Sequence, residues 1–300
     1  MRLRHLGYAC INTDLGTKSR TVRLANLRTE SVIPVVVQNL QDVLAALRWN
    51  VERDLRFFRV SSDLIPFGPL PEFPFDWAEA YDWLFREIRR TVKSEGMRIT
   101  AHPGQYTVLN SPKPGVVEEA LRELDHQAQL LSLIDPNGTL TLHVGGAYGD
   151  KPAAVARFAE NFARLSPRAQ DMLILENDDT TYTLDDVLPL CESLGIPLVF
   201  DYFHHQCHYV GDSPDTELIE KLERVVATWN GRVPKFHLSS ARPEGPRKAH
   251  ADYVRPEDLE EFVQVMEAVG GDEPYDIMLE AKEKERAVLA LTDVVEAETV

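Results

Sequence analysis

The sequence predicts an α/β protein, a single (β/α)8 TIM barrel carrying a metal site at the C-terminal mouth of its strands. Three observations carry this reading. Eight short apolar runs alternate with longer segments of helical period. Many of those runs are rich in Val, Ile, Leu and Phe, as strands buried on both faces are. The first strand-to-helix turn lacks the glycine fingerprint of a dinucleotide-binding sheet, so a doubly wound open sheet ranks second. One barrel domain is expected over residues 1–300, with the last ten or so as a tail.

The strand candidates, in order, are Leu3–Tyr8, Arg56–Val60, Arg98–His102, Thr139–Val144, Met172–Glu176, Pro197–Asp201, Pro234–Leu238 and Asp276–Glu280. Between them lie helix candidates. In Thr29–Asp54, Val32, Val36, Leu40, Val43, Leu44 and Leu47 recur near helical spacing. The others are Asp76–Ser94, Pro114–Leu133, Pro152–Leu165, Thr183–Leu194, Thr216–Thr228, Arg255–Val269 and Lys282–Leu291. Asp76, Ser111 before Pro112, and Thr183 before Asp185 and Asp186 are start signals. Gly96 and Gly195 are stops.

Composition narrows the class. With 44% hydrophobic and 27% charged residues, the chain has the make-up of an ordinary globular protein. No run approaches the ~18 apolar residues of a membrane span. The start, MRLRHLGYAC, has no apolar core of a secretory signal. Three cysteines (Cys10, Cys191 and Cys207) without a CxxC suggest a reducing cytoplasm. The net charge of −16 argues against non-specific nucleic-acid binding as a global property. Two basic segments stand out locally. Residues 1–28 hold Arg2, Arg4, Lys18, Arg20, Arg23 and Arg28, and residues 232–250 hold Arg232, Lys235, Arg242, Arg247 and Lys248. A barrel would open the loops at 9–28 and 239–250 on the same face.

The strand ends carry the strongest signal. His102, His143 and His237 stand at or near the ends of the third, fourth and seventh runs, and Glu176, Asp201 and Glu280 end the fifth, sixth and eighth. With 48 acids and nine histidines in 300 residues, chance would fill about one or two of eight ends. Any one of them alone reads as a hydrogen-bonded core histidine or a helix cap. Six ionisable groups at one mouth are costly to bury without metal or mutual pairing. Imidazole and carboxylate together suit Zn²⁺, Mn²⁺ or Fe. In DYFHHQCH, His204 lies three residues after Asp201, where a helical turn would aim both at one site. His205 and His208 read as loop surface, and His250 sits in the loop after the His237 strand.

With these residues in place, the chain resembles the UV damage endonuclease family, which nicks DNA beside UV photoproducts. The motifs are LGYAC-IN, FRVSSDLIPF, HPGQY, LHVGGAYGDK, LENDD, VFDYFHH, KFHLSS and LEAKEKE, in that order from Leu6 to Glu285. The resemblance implies a fold similar to endonuclease IV and three divalent ions, Mn²⁺ first, with Zn²⁺, Mg²⁺ or Co²⁺ as alternatives. It implies that His102, His143 and Glu176 hold one ion. Glu176 would bridge to a second held by Asp201, His237 and Glu280, and His204 and His250 would serve the third. Glu176, Lys235 and His237 are the implied catalytic residues, with Lys235 matching a lysine that is carboxylated in family members. Tyr8 and Asn12 match residues beside the lesion. Gln105 and Tyr106 match a pair that probes the duplex and fills the space left by flipped nucleotides. Pro69 and Leu70 stand where family members often carry Ser-His.

The activity so implied is a metal-dependent nick 5′ to cyclobutane pyrimidine dimers and 6-4 photoproducts, with abasic sites as a further substrate. The implied partner is damaged double-stranded DNA, with no membrane and no obligate protein partner. The chain is read as monomeric and cytoplasmic. The rival readings are an endonuclease IV-like abasic-site nuclease, a metal-dependent sugar isomerase on the same barrel, and a metal- or DNA-binding protein without turnover.

Overall fold

Eight parallel strands close on themselves in sequence order: β1 (Arg2–Cys10), β2 (Phe57–Val60), β3 (Arg98–Ala101), β4 (Thr139–His143), β5 (Leu173–Glu176), β6 (Leu198–Asp201), β7 (Lys235–Leu238) and β8 (Pro274–Leu279). The structure is a computed structural model that describes residues 1–208, 217–244, 246 and 248–298. Closure is made by β8 against β1, where Ile277 pairs with Leu6 and Met278 with Gly7. Each expected run forms a strand, with ends shifted by one or two residues. Among the described residues, no helix is long and apolar enough to cross a membrane.

The helices are α1 (Thr29–Val51), α2 (Trp77–Ala80), α3 (Asp82–Ser94), α4 (Pro114–Ile134), α5 (Lys151–Phe162), α6 (Pro167–Met172), α7 (Leu184–Leu194), α8 (Tyr202–His208), α9 (Leu218–Thr228), α10 (Pro256–Val269) and α11 (Glu285–Glu298). The apolar stripe of α1 is buried as its spacing predicts. Thr183 and Asp186 form a reciprocal capping box on α7, and Gly195 ends that helix at φ 68°. The expected helix over Asp76–Ser94 is split at Tyr81, whose φ of −112° interrupts it. Asp76 caps the first part by accepting from the amides of Ala78 and Glu79. Ser111 is not a helix cap; its Oγ accepts from the Lys113 amide and α4 starts at Pro114. Helix α6 is an addition to the expected set, and Ser166 caps it. Thr216, the expected start of the helix now seen as α9, lies outside the described residues.

The main apolar core lies between the strands and the helical ring, where Phe58, Ile99, Leu142 and Leu175 meet helix residues such as Val36, Leu124 and Phe158. The inside of the barrel is different. Residues alternate across a strand, so Phe57 and Arg59, Thr100, Thr141 and His143, Lys235 and His237, and Asp276 and Met278 project inward. Ala9, Phe57 and Met278 form one small apolar plug, and Ile174, Val199 and Trp229 another. Gly7 makes room for the plug, because a Cβ there would stand 2.6 Å from the Phe57 ring. The remaining inward positions are polar or charged, unlike the branched aliphatic filling usual for this architecture.

At the N-terminal end, the fully buried Asp276 accepts from Arg4 (2.6 Å) and Arg98 (2.7 Å). Burial raises the Asp276 carboxyl, but the two guanidiniums outweigh it and hold the group below its ordinary value. A carboxyl depressed in the folded state contributes stability above its unfolded pKa, and that contribution is lost as pH falls through the folded value. Asp276→Asn is therefore expected to cost about 3 kcal/mol at pH 7, the low end for breaking a buried pair, because Arg4 is a third exposed. In urea titrations the gap between wild type and variant should narrow as pH drops below about 4. A gap that stays constant from about pH 7 to about pH 3.5 would contradict this account.

Candidate metal centre

Six strands deliver an ionisable side chain to the C-terminal mouth. His102 follows β3, His143 ends β4, Glu176 ends β5, Asp201 ends β6, His237 lies in β7, and Glu280 follows β8. Parallel register aligns them: His143 pairs with Glu176, and Asp201 with His237. Helix α8 begins directly after Asp201, which accepts from the His204 amide at 2.7 Å and so turns His204 toward the same point.

Glu176 is the hub. It is buried, and His102 Nε2 (3.1 Å) and His237 Nδ1 (2.8 Å) contact its two oxygens. His143 Nε2 and His204 Nδ1 follow at 3.6 and 3.7 Å. Among the described residues, three groups of donor atoms, each within 4.8 Å of one another, could hold a metal ion: His102, His143 and Glu176; Glu176, Asp201 and His204; and Glu176, His237 and Glu280. Glu176 belongs to all three. The partition differs from the expected one in pairing Asp201 with His204. The reason is local, since His204 lies on the first turn of α8, three residues after Asp201 at the end of β6.

The electrostatics are those of crowded carboxylates. Burial opposes ionisation of Glu176, yet His237 and His143 hold it well below the usual carboxylate range. Burial pushes Asp201 up to about 7, and Glu176 and Glu280 add to the rise. Burial pulls His204 down, but Asp201 and Glu176 outweigh it and raise the imidazole to about 9. His237, fully buried, is lowered to about 4. Burial opposes ionisation of Glu280 as well, but Arg59 and His237 hold its carboxyl below its ordinary value.

The donor set passes a direct test of fit to divalent cations. Three buried donor atoms at the mouth have no hydrogen-bond partner among the described residues: His143 Nδ1, His237 Nε2 and Asp201 Oδ2. Buried polar atoms are normally satisfied. Here they surround carboxylates that burial strains toward protonation, and bound cations would relieve both costs. His102 has Nδ1 facing the Pro103 carbonyl at 3.0 Å while its Nε2 faces Glu176. Such a bond favours the tautomer that leaves Nε2 unprotonated, the usual arrangement for a ligating imidazole.

The other sequence-selected residues divide. An antiparallel bridge between Ala241 and His250 folds the seventh loop back. His250 then faces the Glu280 carbonyl at 2.9 Å, its ring 6.1 Å from that of His204, but it belongs to none of the three groups. Lys235 is fully buried one inward position below His237, and its Nζ donates to Thr141 Oγ1 (2.6 Å) and Thr100 Oγ1 (3.1 Å). Burial, with Arg98 nearby, pushes its pKa well below the ordinary lysine value. Gln105 and Tyr106 are exposed, Tyr106 to 85%, on a turn closed by Thr107 N to Gly104 O (2.9 Å). Tyr8 and Asn12 are buried instead. Tyr8 donates to Asn50 Oδ1 at 2.7 Å and accepts from Asn12 Nδ2 at 2.9 Å. Neither side chain reaches the surface. His208 Nε2 faces the Asp178 carbonyl at 2.8 Å, and the His205 ring packs on Phe200.

The basic segments also separate. Lys18, Arg23 and Arg28 are exposed, and no ion pair is formed by them among the described residues. In the second segment, Arg232 precedes β7 at the opposite end of the barrel, Lys235 is interior, and Arg247 lies outside the described residues. Lys248 is tied across the mouth to the Asp179 carbonyl and Thr180 Oγ1.

Two residues that touch the centre escape a reading of the sequence by strand ends. Asn177 clamps the backbone of Asp201 with both ends of its amide, at 2.9 Å each. Arg59 pairs with Glu280. Their signals are a polar residue beside the strand-end Glu in LENDD and a charge at an inward position of FFRV.

Comparison with known proteins agrees with this geometry. The chain is 34% identical over 274 residues to the UV DNA damage endonuclease of Bacillus cereus strain G9842, covering 90% of this chain and 84% of that one. The crystal structure of SacUVDE superposes with a TM-score of 0.90 at 34% identity, over 98% of this chain and 99% of that one. Endonuclease IV from Thermus thermophilus shares the fold, with a TM-score of 0.62 at 13% identity over 98% and 100% of the two chains. Residues 4–300 match the family model described as UV-endonuclease UvdE, and the chain belongs to that family.

Proposed function

We propose that the protein nicks duplex DNA on the 5′ side of UV photoproducts, cyclobutane pyrimidine dimers and 6-4 photoproducts among them, by metal-assisted phosphodiester hydrolysis. Abasic sites are a further substrate in this reading. The observation that carries it is the sharing of Glu176 by three metal-competent groups at the mouth of a UvdE-family barrel. His102, His143, Asp201, His204, His237 and Glu280 complete the ligand set, with His250 beside it. Three ions are assigned, Mn²⁺ first. When bound, divalent ions supply an activated water and neutralise charge on the phosphate and leaving oxygen.

The chain's own residues do the remainder. Glu176 is held well below the usual carboxylate range and so carries its negative charge between the ligand groups, with His237 Nδ1 at 2.8 Å from its Oε1. His237, lowered to about 4, stays a neutral donor near pH 7. Lys235 lies beneath the centre, where burial disfavours its charged form; the neutral amine is the form that would react with carbon dioxide to give a carbamate and a proton.

Recognition falls to the rim. An intact duplex hides a stacked dimer of bases, and turning nucleotides out costs a few kcal/mol, less for damaged pairs. Tyr106 stacks in the space they leave, and Gln105 hydrogen-bonds the orphaned bases. Lys18, Arg23 and Arg28 contact phosphates. Tyr8 and Asn12 act beneath the lesion by shaping the first loop from inside. A sugar isomerase has no need of an exposed Gln-Tyr pair or of free rim arginines.

With Mn²⁺ and three duplexes (undamaged, UV-irradiated and abasic), the irradiated duplex should be nicked 5′ to the lesion. Cleavage of the abasic duplex alone would favour the endonuclease IV-like reading. Glu176→Ala should lose both bound metal, read by elemental analysis, and nicking; wild-type values for both would refute the mechanism. Replacing Gln105 and Tyr106 together by Ala should weaken binding to irradiated duplex by about tenfold or more, from the ~1–3 kcal/mol of a stacked base. Bound metal should be unchanged, and equal lesion affinity in variant and wild type would exclude the probe role.

A further inference from the structure

We propose that Arg59 is a positioning residue of the metal centre, holding Glu280 in the posture in which it serves as a ligand. The inference deepens the proposed function and rests on Glu280 being a ligand. Arg59 lies on β2, projecting inward above Phe57 and beside Ala9 of β1, with which it pairs in register. Its guanidinium is largely buried and ion-paired to Glu280 Oε1. That same oxygen is 3.3 Å from His237 Nδ1, while Oε2 is 3.9 Å from His250 Nδ1. The two carboxylate oxygens are thereby distinguished. One is fixed by Arg59 and His237, and the other faces the His250 side.

Among the described residues, Arg59 is the one lysine or arginine that pairs with any carboxylate of the three metal-competent groups. The ion-pair contacts of the Glu176 and Asp201 carboxylates among the described residues are made by histidines. A glutamate just past its strand end has three rotatable side-chain bonds and no fixed direction of its own. A planar guanidinium on a strand fixes it in a way that a flexible ammonium does not. Arg59 also carries a cost, because a positive charge repels incoming cations. The sign of its effect on metal affinity therefore decides between two roles. If Arg59 only balanced charge, its removal would tighten metal binding. If it orients Glu280, removal weakens binding, as loss of an outer partner of a metal ligand does by about 10–100-fold.

The test is calorimetric titration of Mn²⁺ into metal-stripped, full-length protein, with the circular dichroism spectrum of each variant recorded. Arg59→Met should weaken Mn²⁺ binding by about tenfold or more. Arg59→Lys, which keeps the charge but not the planar fork, should fall between Met and wild type, and serves if Arg59→Met does not fold. In a Glu280→Gln background, Arg59→Met should change affinity little, because the partner it orients is gone. Unchanged or tighter Mn²⁺ binding by Arg59→Met, or an equal loss in both backgrounds, would overturn the proposal while the ligand reading stands. Full Mn²⁺ affinity in Glu280→Gln alone would remove the ligand reading and the proposal together.

Discussion

Everything at the mouth of this barrel depends on how a buried carboxylate is kept charged. Glu176 is surrounded by four imidazoles and has no lysine or arginine partner among the described residues. A buried anion without compensation would take up a proton instead. Its histidines oppose that, yet two of them, His143 and His237, end with a buried nitrogen that has no hydrogen-bond partner among the described residues. The arrangement is stable only as a set. It requires that six strand ends stop at nearly the same height, which a closed barrel in sequence order provides and separate loops would not.

The same constraint explains the rest of the interior. A barrel filled with branched aliphatics would pack better than one holding Lys235, Arg59, Arg98 and Asp276. Here the apolar filling is reduced to two small plugs, and charge is handled in layers. Asp276 is neutralised by Arg4 and Arg98 at the bottom. Lys235 is held by two threonine hydroxyls in the middle. The unbalanced carboxylates are left at the top, where cations and a phosphate can arrive. Stability is supplied by the continuous apolar shell between strands and helices, which leaves the interior free to carry chemistry.

This division decides what is legible in the sequence. Strand ends stand out because a four- or five-residue apolar run has little room for error, and a His, Asp or Glu at its close breaks the pattern visibly. His102, His143, Glu176, Asp201, His237 and Glu280 all emerge that way. Arg59 does not, because its meaning lies in a partner 221 residues away. Tyr8 and Asn12 carry the family motif, yet their burial depends on Asn50 from α1, which no local pattern announces. Arg232 groups with the rim by proximity in sequence, although a four-residue strand separates it from that face. Helix α6 is six residues long, too short for its period to show.

The stretch HPGQY joins the two halves of the molecule's chemistry. Gln105 and Tyr106 follow His102 by three and four residues, so their backbone cannot lie more than about 14 Å from that of His102. The far end of the loop is fixed as well. Asn161 donates to the Leu109 carbonyl at 2.8 Å, Arg157 to that of Asn110 at 2.9 Å, and Asn110 itself to Gly146 at 2.8 Å. A probe tied at both ends loses little further freedom when it meets a duplex, so more of its contact energy remains for binding. Tyr106 is exposed to 85%, the most of the exposed large apolar residues among those described. Held at a set reach from His102, it suits the probe role proposed for it.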